Sequence, residues 1–244
     1  YVSDNKMYAV QTGFEYNTKD TENNLIFHYQ NYDREYENGG YLDEYYSESL
    51  VAKGERKVIA NEKISFGYGA EYKYDWGNFE DRGSYSASTK GHMKDLGFFS
   101  NLGFKINENQ IFSIYGRTDD HNTTGTNETY KFSFTRIFED FKFIATHSTG
   151  LRNPSLYELY GSNSSGYSGN TKIAPEKSKT NELYGEYFFS ENLKLSSTAY
   201  RTSIFDRIEQ NSSWTSVENK KSDINQEGLE SELFLKYGDN SYSF

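Results

Sequence analysis

The chain has 244 residues, no cysteine, a formal net charge of -10 and an aromatic content of 18%. A mean hydropathy of -0.90 is low enough to suggest disorder, but disordered chains are poor in aromatic residues. The 23 tyrosines and 18 phenylalanines must therefore cover some surface of a folded protein. No run approaches the ~18–20 apolar residues of a transmembrane helix, which excludes a helical membrane protein. Without cysteine there is no disulfide framework and no Cys-ligated metal site, and the acidic balance disfavours a nucleic-acid partner.

Taken in chain order, stretches of alternating residues predict long β-strands. The clearest are 8–16, 64–76, 96–106, 183–189 and 229–237. Within 64–76 every second residue is uncharged, whereas three charged residues lie at the intervening positions. Successive side chains of a strand point to opposite faces, so each stretch has one apolar and one polar face. The pattern predicts an all-β, antiparallel fold of about 11–12 strands. The length of several of these strands is near the ~9–11 residues that a tilted strand needs to cross a bilayer.

The connections between these stretches alternate in length. Short polar turns are predicted near 19–21, 61–62, 107–109, 139–140, 190–192 and 238–240. Long loops are predicted at 33–48, 77–94, 120–127, 152–177 and 209–221. Outer-membrane barrels have short turns at one end and long loops at the other, so the alternation favours a transmembrane β-barrel.

A soluble β-sandwich or β-solenoid is the alternative, because its strands also alternate. Tyr and Phe lead the apolar faces here, however, and Tyr suits the interfacial girdles of a membrane barrel. A Lys or Arg at mid-bilayer on the lipid face costs roughly 2–4 kcal/mol, and the apolar face of 64–76 has none. Charge distribution therefore also favours the membrane barrel.

Both prolines, Pro154 and Pro175, fall in one predicted loop. Each restricts the residue before it to extended geometry and cannot donate to a strand ladder, which suits a strand end or a loop. The segments around them are Pro154-Ser-Leu-Tyr-Glu-Leu-Tyr-Gly161, then Gly169-Asn170, then Pro175-Glu-Lys-Ser178. Together they resemble the mid-barrel signature of TonB-dependent outer-membrane receptors. The strands at 193–208, 218–219 and 228–230 are similar to the strands that follow it in that family.

Two upstream segments resemble one branch of that family, the vitamin B12 (cobalamin) receptors. They are 116–122, Gly-Arg-Thr-Asp-Asp-His-Asn, and 143–145, Phe-Ile-Ala. The resemblance implies high-affinity uptake of cobalamin across a bacterial outer membrane. Receptors for ferric siderophores and haem share the Pro-Glu-Lys-Ser segment, so those substrates remain alternatives.

The resemblance also implies an architecture and partners. Family barrels have 22 strands and carry an N-terminal plug and a TonB box, neither of which is recognised here. Residues 1–244 are therefore expected to be part of a receptor barrel, embedded in outer-membrane lipid and coupled to the TonB system through a plug. A complete small barrel acting as a hydrolase or adhesin is the alternative of another class. No catalytic motif is found, so the chain is predicted not to be an enzyme.

The acidic segment 33–46 contains clustered carboxylates around a Gly-Gly turn. Calcium takes carboxylate oxygen ligands, and cobalamin receptors order their extracellular loops with calcium. We therefore expect Asp33, Glu37, Asp43 and Glu44 to include ligands of a structural Ca²⁺, and no other cofactor. Solvated carboxylates without a metal are the alternative, because the regular spacing of an EF-hand is absent.

Aromatic residues of the predicted loops are the candidate ligand contacts. Binding pockets are commonly lined by apolar and aromatic side chains with few polar contacts. The candidates are Tyr41, Tyr45, Tyr46, Tyr160 and Tyr167. The alternative for Tyr160, and for Tyr157 nearby, is membership of the upper aromatic girdle.

Overall fold

The computed structural model describes residues 2–38, 40–82, 87–163, 165–238 and 240–243, with the side chains at 2, 38, 41 and 240 left aside. Almost all of it is β-strand. The strands are β1 (Val2–Asn17), β2 (Thr21–Asn38), β3 (Tyr41–Ile59), β4 (Ile64–Asp81), β5 (Ala87–Asn107), β6 (Gln110–His121), β7 (Gly125–Ile137), β8 (Phe141–Arg152), β9 (Glu176–Ser190), β10 (Leu193–Phe205), β11 (Arg207–Gln210), β12 (Val217–Lys220), β13 (Ile224–Tyr237) and β14 (Asn240–Ser243). One helix, α1 (Leu156–Tyr160), lies between β8 and β9.

Twelve strands form one antiparallel sheet in the order β1 to β10, then β13 and β14. Each strand pairs with its neighbour along the chain, except that β10 pairs with β13 across the separate β11–β12 hairpin. β1 and β14 are the ends of the described sheet. The predicted all-β antiparallel class and the number of strands are confirmed. Among the described residues, no helix has the length and apolar character needed to cross a membrane.

Cross-strand register builds one apolar face from the alternating residues. Val10 pairs with Tyr29, Tyr29 with Leu50, and Leu50 with Tyr74, so one apolar row crosses β1 to β4. We call this side the outer face. On the other side, the inner face, β4 and β5 bury alternate residues towards their loop ends while the outer positions stay more exposed. The alternation predicted for 64–76 and 96–106 is therefore the alternation of the two faces of the sheet.

The short turns lie where they are predicted, but three of the five long loops do not exist as loops. Residues 33–38 and 41–48 are paired parts of β2 and β3, and 77–81 and 87–94 are paired parts of β4 and β5, while residues 39 and 83–86 lie outside the described ranges. Residues 120–127 hold only a tight turn. Polar residues on both faces suggested loops. The strands continue there because hydrogen bonds between the backbones of paired strands form regardless of which side chains the strands carry. Residues 209–221 hold most of the β11–β12 hairpin, which begins at Arg207, and 152–177 form the long excursion of the described chain.

That excursion is the segment with both prolines, and α1 gives it a fixed start. Ser155 caps α1, its Oγ accepting the backbone N–H of Glu158, while the Glu158 carboxylate accepts the backbone N–H of Ser155 at 2.7 Å. This reciprocal capping box satisfies two donors that a helix start otherwise leaves unpaired. The signature Pro154-Ser-Leu-Tyr-Glu158 is therefore a helix start, which alternation with a period of two cannot indicate.

A small apolar core lies within the excursion. Leu159 is the most buried member, and Ile173 packs with it, while Ile208 and Val217 come from β11 and β12. Asn219 joins the two parts, because its side chain accepts the Ala174 N–H at 2.8 Å and donates to the Ala174 carbonyl at 2.9 Å. The segment 153–175 and the β11–β12 hairpin therefore pack as one unit, which we call the docked loop.

Candidate functional site

The docked loop lies on the inner face because two glycines leave room for it. Gly77 of β4 and Gly91 of β5 are cross-strand partners on that face. A Cβ at Gly77 would lie 3.3 Å from the Leu156 side chain, and one at Gly91 would lie 2.8 Å from Cβ of Tyr160 and closer still to its ring. α1 therefore packs on bare backbone, at a place where any larger residue would displace it.

Aromatic rings connect α1 to the barrel wall. Tyr157 stacks on Tyr167 with the ring centroids 5.0 Å apart, and meets Phe79 edge-on at 5.5 Å. Phe79 in turn lies 6.2 Å from the ring of Tyr45 on β3. Burial raises the pKa of Tyr45 and of Tyr167 to about 12, since the phenolate would lose its water. This row of rings is packed and neutral at physiological pH.

Arg152 at the end of β8 fastens the loop at its other side. Its guanidinium contacts Glu158 at 3.1 Å and Glu176, at the start of β9, at 2.9 Å. Glu176 also accepts the backbone N–H of Ile208 at 3.0 Å. Arg152 thus ties β8, α1 and β9 together, and Glu176 extends the link to β11. The hydrogen bond from Arg152 is the main cause that lowers the pKa of the Glu176 carboxyl.

A cavity of about 530 Å³ lies between the docked loop and the inner face. Its volume falls in the ~300–1,000 Å³ range of small-molecule sites. β4 to β6 contribute charged and polar groups, and the start of the docked loop supplies the opposite wall. The lining residues are Lys73, Asp75, Met93, Asp95, His121, Leu151, Arg152, Asn153, Pro154, Ser155 and Leu156.

Asp95, which lines this cavity, has one carboxylate oxygen without a hydrogen-bond donor among the described residues. Its Oδ2 accepts from the Asn153 side chain at 3.3 Å, whereas its Oδ1 is buried and has no hydrogen-bond partner in the described part of the chain. Burial, followed by the nearby Asp119 carboxylate, raises the pKa of Asp95. A buried acceptor without a donor costs free energy, so a hydrogen bond donated to this oxygen would be stabilising.

His121 lies beside Asp95 as its cross-strand partner and is almost fully buried. Its Nδ1 accepts the backbone N–H groups of Thr123 and Thr124 at 3.2 and 3.3 Å. These donors require an unprotonated Nδ1, so the neutral ring carries its proton on Nε2. Burial lowers the pKa of His121, which agrees with this form. The cavity is therefore lined by a neutral imidazole and by the Asp95 carboxylate, one oxygen of which is unpaired in the described part of the chain.

Below the cavity, an ion-pair network covers the inner wall. Arg117 of β6 donates to Glu71 of β4 at 2.9 Å and to Asp119 at 2.8 Å. Lys73 contacts Asp75 at 2.9 Å on the same face. Charged groups that would be costly against lipid are thus paired with one another inside.

The structure divides the predicted ligand-contact tyrosines between the two faces. Tyr45, Tyr160 and Tyr167 lie in or against the docked loop, where their rings pack on the protein itself. Tyr46 belongs to the outer face, donates to Glu48 at 2.6 Å and meets Trp76 edge-on. The Tyr41 side chain lies outside the described part. Tyr157 and Tyr160 pack on the inner face, so the girdle interpretation of them is wrong.

The structure does not bring the four predicted calcium ligands together. Glu37 and Glu44 share the outer face with Asp33, whereas Asp43 pairs with Tyr36 and points the other way. Asp43 accepts the Arg82 N–H at 2.9 Å, and Glu44 binds the same residue's guanidinium at 2.8 Å. In the described ranges no three acidic or histidine residues form a group that suits a metal ion. The four do not fit one coordination shell, and calcium binding stays a prediction.

Sequence reasoning missed the residues that build the site. Lys73 occurs in the predicted strand 64–76, whose alternation indicated only a polar face, and Asp95 lies between the predicted loop 77–94 and the predicted strand 96–106. The seat of α1 depends on the pairing of Gly77 with Gly91. His121 stands out in the sequence only as part of the segment 116–122 that resembles cobalamin receptors. The available signal was the Arg152 and Glu158 pair flanking Ser155, which is typical of a capped and anchored turn.

The comparisons with known proteins agree with this geometry. The family model described as "TonB dependent receptor-like, beta-barrel" matches residues 2–244. The chain belongs to this family. Its members are transporters rather than enzymes, which confirms the prediction that the chain is not an enzyme and excludes a hydrolase. A search of curated proteins found no match.

Solved structures of the same fold come from several receptors. The siderophore receptor PirA from Acinetobacter baumannii is 16% identical with a TM-score of 0.76, and 98% of this chain covers 44% of it. The ferric enterobactin receptor PfeA from Pseudomonas aeruginosa, bound to enterobactin, is 17% identical with a TM-score of 0.81, at 98% and 43% coverage. The copper transporter OprC is 13% identical with a TM-score of 0.76, at 97% and 44% coverage. The chain spans less than half the length of these receptors.

Proposed function

We propose that this chain is the substrate-capturing part of an outer-membrane, TonB-dependent importer of a small molecule. The observation that carries the proposal is the docked loop on the inner face, which closes a cavity of about 530 Å³ with an open acceptor at Asp95. No bond is made or broken there. The substrate is held by contacts, and uptake is coupled to TonB through the plug that the family resemblance implies.

We further propose a ferric siderophore as the substrate. PirA and PfeA, which share the fold, are siderophore receptors, and PfeA is solved with enterobactin. Cobalamin is the second candidate, favoured by the resemblance of 116–122 to cobalamin receptors and by the place of His121 in that segment at the cavity. Either substrate would reach Asp95 with donor groups at its periphery.

The experiment uses the full-length receptor in cells that depend on it for uptake. Growth on ferric siderophores as the iron source, and on cobalamin as the vitamin source, separates the two substrates, and competition between labelled forms measures specificity. Uptake of the siderophore alone supports the first proposal, uptake of cobalamin alone supports the second, and uptake of neither refutes both.

Asp95→Asn tests the cavity itself. A charge-assisted hydrogen bond contributes about 1.5–3 kcal/mol, so loss of the charge at Asp95 should weaken substrate binding roughly 10- to 100-fold. Lys63→Gln, in the short turn between β3 and β4, is the matched control and should bind normally. Equal affinity of Asp95→Asn and the wild type would remove the cavity from the substrate path.

A further inference from the structure

The side-chain amide of Asn153 joins the docked loop to two parts of the barrel wall. Its nitrogen donates to Oδ2 of Asp95 on β5 at 3.3 Å, and its oxygen accepts from the hydroxyl of Thr124, in the turn between β6 and β7, at 3.0 Å. Asn153 is the first residue of the docked loop and precedes Pro154, whose side chain is fully buried. One amide thus holds the loop to the wall at the point where the chain leaves β8.

The contact between Asn153 and Asp95 lacks one hydrogen bond when Asp95 is ionised. The Oδ1 atom of Asp95 is buried and has no partner among the described residues, and an ionised carboxylate can only accept. A protonated carboxyl carries an O–H donor as well as an acceptor, which matches a side-chain amide. The amide oxygen of Asn153 has two lone pairs, and Thr124 uses one of them. A proton on Asp95 would therefore make the two groups complementary.

The charges around Asp95 also favour a proton there. The charged and titratable groups that face it from its neighbouring strands are Glu71, Lys73 and Asp75 of β4 and Arg117, Asp119 and His121 of β6. Arg117 binds Glu71 at 2.9 Å and Asp119 at 2.8 Å, and Lys73 binds Asp75 at 2.9 Å. Both cations are thus held by other carboxylates, and His121 is neutral. Asp95 is the acidic group without a cation of its own in this described cluster.

The elements on either side supply no free cation at this level of the described sheet. The corresponding inner positions are uncharged: Ser49 and Val51 of β3, and Asn127 and Thr129 of β7. Arg152 of β8 lines the same cavity, but its guanidinium binds Glu158 and Glu176. Burial first, and then the Asp119 carboxylate, raises the pKa of Asp95 above its ordinary value.

Asp95 lies above the apolar band of the barrel, where the external pH can reach it. About 12 residues separate it from the short turn at Asn107, which at ~3.4 Å per residue and a tilt of ~40° gives roughly 30 Å. The apolar band of such barrels is about 25 Å tall.

We propose that the contact between Asp95 and Asn153 is a pH-sensitive switch that docks the loop more firmly in acid. When the loop undocks, water reaches the Asp95 carboxylate and removes the cost of its unpaired oxygen. The docked loop therefore binds the proton more tightly than the open loop does. Docking is then strongest when Asp95 is protonated, and it weakens as the pH rises through the pKa that Asp95 has in the docked protein. The inference concerns the loop without substrate and does not depend on the proposed function.

The direction of the effect separates Asp95 from the other titrating groups near the loop. Protonation of His121 would displace the backbone N–H groups of the turn after β6 from its Nδ1, and protonation of Glu158 or Glu176 would release Arg152. Each of these events loosens the loop in acid. Asp95 acts in the opposite direction, so the sign of the pH dependence identifies it.

The test follows opening of the docked loop in the full-length receptor without substrate, from about pH 4 to about pH 8. Hydrogen exchange at the amides of Gly161 and Asn170, divided by their intrinsic exchange rates, gives the opening equilibrium, because both are bonded within the loop. In the wild type, opening should increase with pH by roughly 5- to 150-fold, the factor for an unmade bond at a buried acceptor. In Asp95→Asn a neutral amide replaces the protonated acid, so opening should stay low at every pH. Asp120→Asn, exposed on the outer face of β6, is the matched control and should keep the pH dependence of the wild type.

Infrared spectroscopy provides a second measurement. The difference between the wild type and Asp95→Asn should contain the C=O stretch of a protonated carboxyl that persists to higher pH than an ordinary aspartic acid does. Absence of this band would overturn the inference. So would wild-type opening that is independent of pH or increases in acid, or an unchanged pH dependence in Asp95→Asn. If Asp95→Asn does not fold, the sign of the pH dependence in the wild type decides alone. Uptake by the wild type tests the proposed function separately, because its failure leaves the exchange measurement unaffected.

Discussion

Replacing Gly91 by alanine should detach α1 from the barrel wall. The added methyl would lie 2.8 Å from Cβ of Tyr160, whereas carbon atoms in contact need about 3.5–4.0 Å. The neighbouring atoms belong to the root of Tyr160 rather than to its flexible end, so the helix has to move by about 1 Å. At Gly91, β5 is held by its ladder with β4, whereas its ladder with β6 begins only at Asp95. α1 belongs to no ladder, so it is the part expected to move.

The magnitude follows from what α1 buries. Overpacking of this kind costs about 1–3 kcal/mol, and full burial of a leucine such as Leu159 contributes about 2 kcal/mol. A loss of about 2 kcal/mol raises the open fraction of the docked loop roughly 30-fold. The sheet itself should keep its melting temperature, because no ladder bond is removed.

Hydrogen exchange measures this opening directly. The amides of Gly161, Gly169 and Asn170 are bonded within the docked loop at 2.8, 2.7 and 2.8 Å, so they report whether it is closed. Exchange at these amides should accelerate in Gly91→Ala and stay unchanged in Gly116→Ala, where a Cβ meets nothing within 4 Å. Unchanged exchange in Gly91→Ala, or equal acceleration in both variants, would refute the reasoning.

Three further predictions concern the loop and its surroundings. Arg152→Gln removes two partly exposed ion pairs and should weaken loop docking by about 1–2 kcal/mol. Trypsin should then cleave at Lys172 faster than in the wild type, whereas Arg201→Gln, which removes an exposed ion pair elsewhere, should leave the cleavage rate unchanged. Equal cleavage rates in Arg152→Gln and the wild type would contradict the prediction. Burial raises the pKa of Tyr167 to about 12, so its contribution to docking is complete below pH ~10 and is lost as the pH rises towards 12. Absorbance at 295 nm should show this late titration, and its amplitude should fall by one tyrosine in Tyr167→Phe, where Tyr45 still titrates late. An amplitude that is equal in the two proteins would disprove it. Calcium titrated into the full receptor should give the same heat for Asp43→Ala as for wild type, since Asp43 faces away from the other candidates; a lost heat would reverse that assignment.

The alternation of residues was sufficient to predict the sheet. Where one face meets lipid, as in 64–76 and 96–106, the contrast between faces is strong and the register is specified. The hairpin of β2 and β3 continues into residues that are polar on both faces, so the contrast disappears although the ladder does not. Strand length beyond the apolar band is therefore not encoded in hydropathy.

The site depends on relations that no local pattern contains. Asp43 and Glu44 are consecutive residues of β3, so their side chains point to opposite faces, whereas the loop predicted for 33–48 suggested that they could act together. α1 has only five residues, too few for a helical period, and its position depends on a pair of glycines far away in sequence. The Pro-Ser-Leu-Tyr-Glu motif indicated that the segment matters, but its partners on β4 and β5 emerged only in three dimensions.

The seat formed by Gly77 and Gly91 also decides which segments can change in sequence independently of one another. A larger residue at either glycine requires a compensating change in α1, so wall and docked loop are expected to evolve together. The described residues of the β2 and β3 hairpin hold no comparable seat, so their length and charge can change without disturbing α1. New substrate preferences are then most easily acquired by exchanging such hairpins, with the anchored loop inherited unchanged.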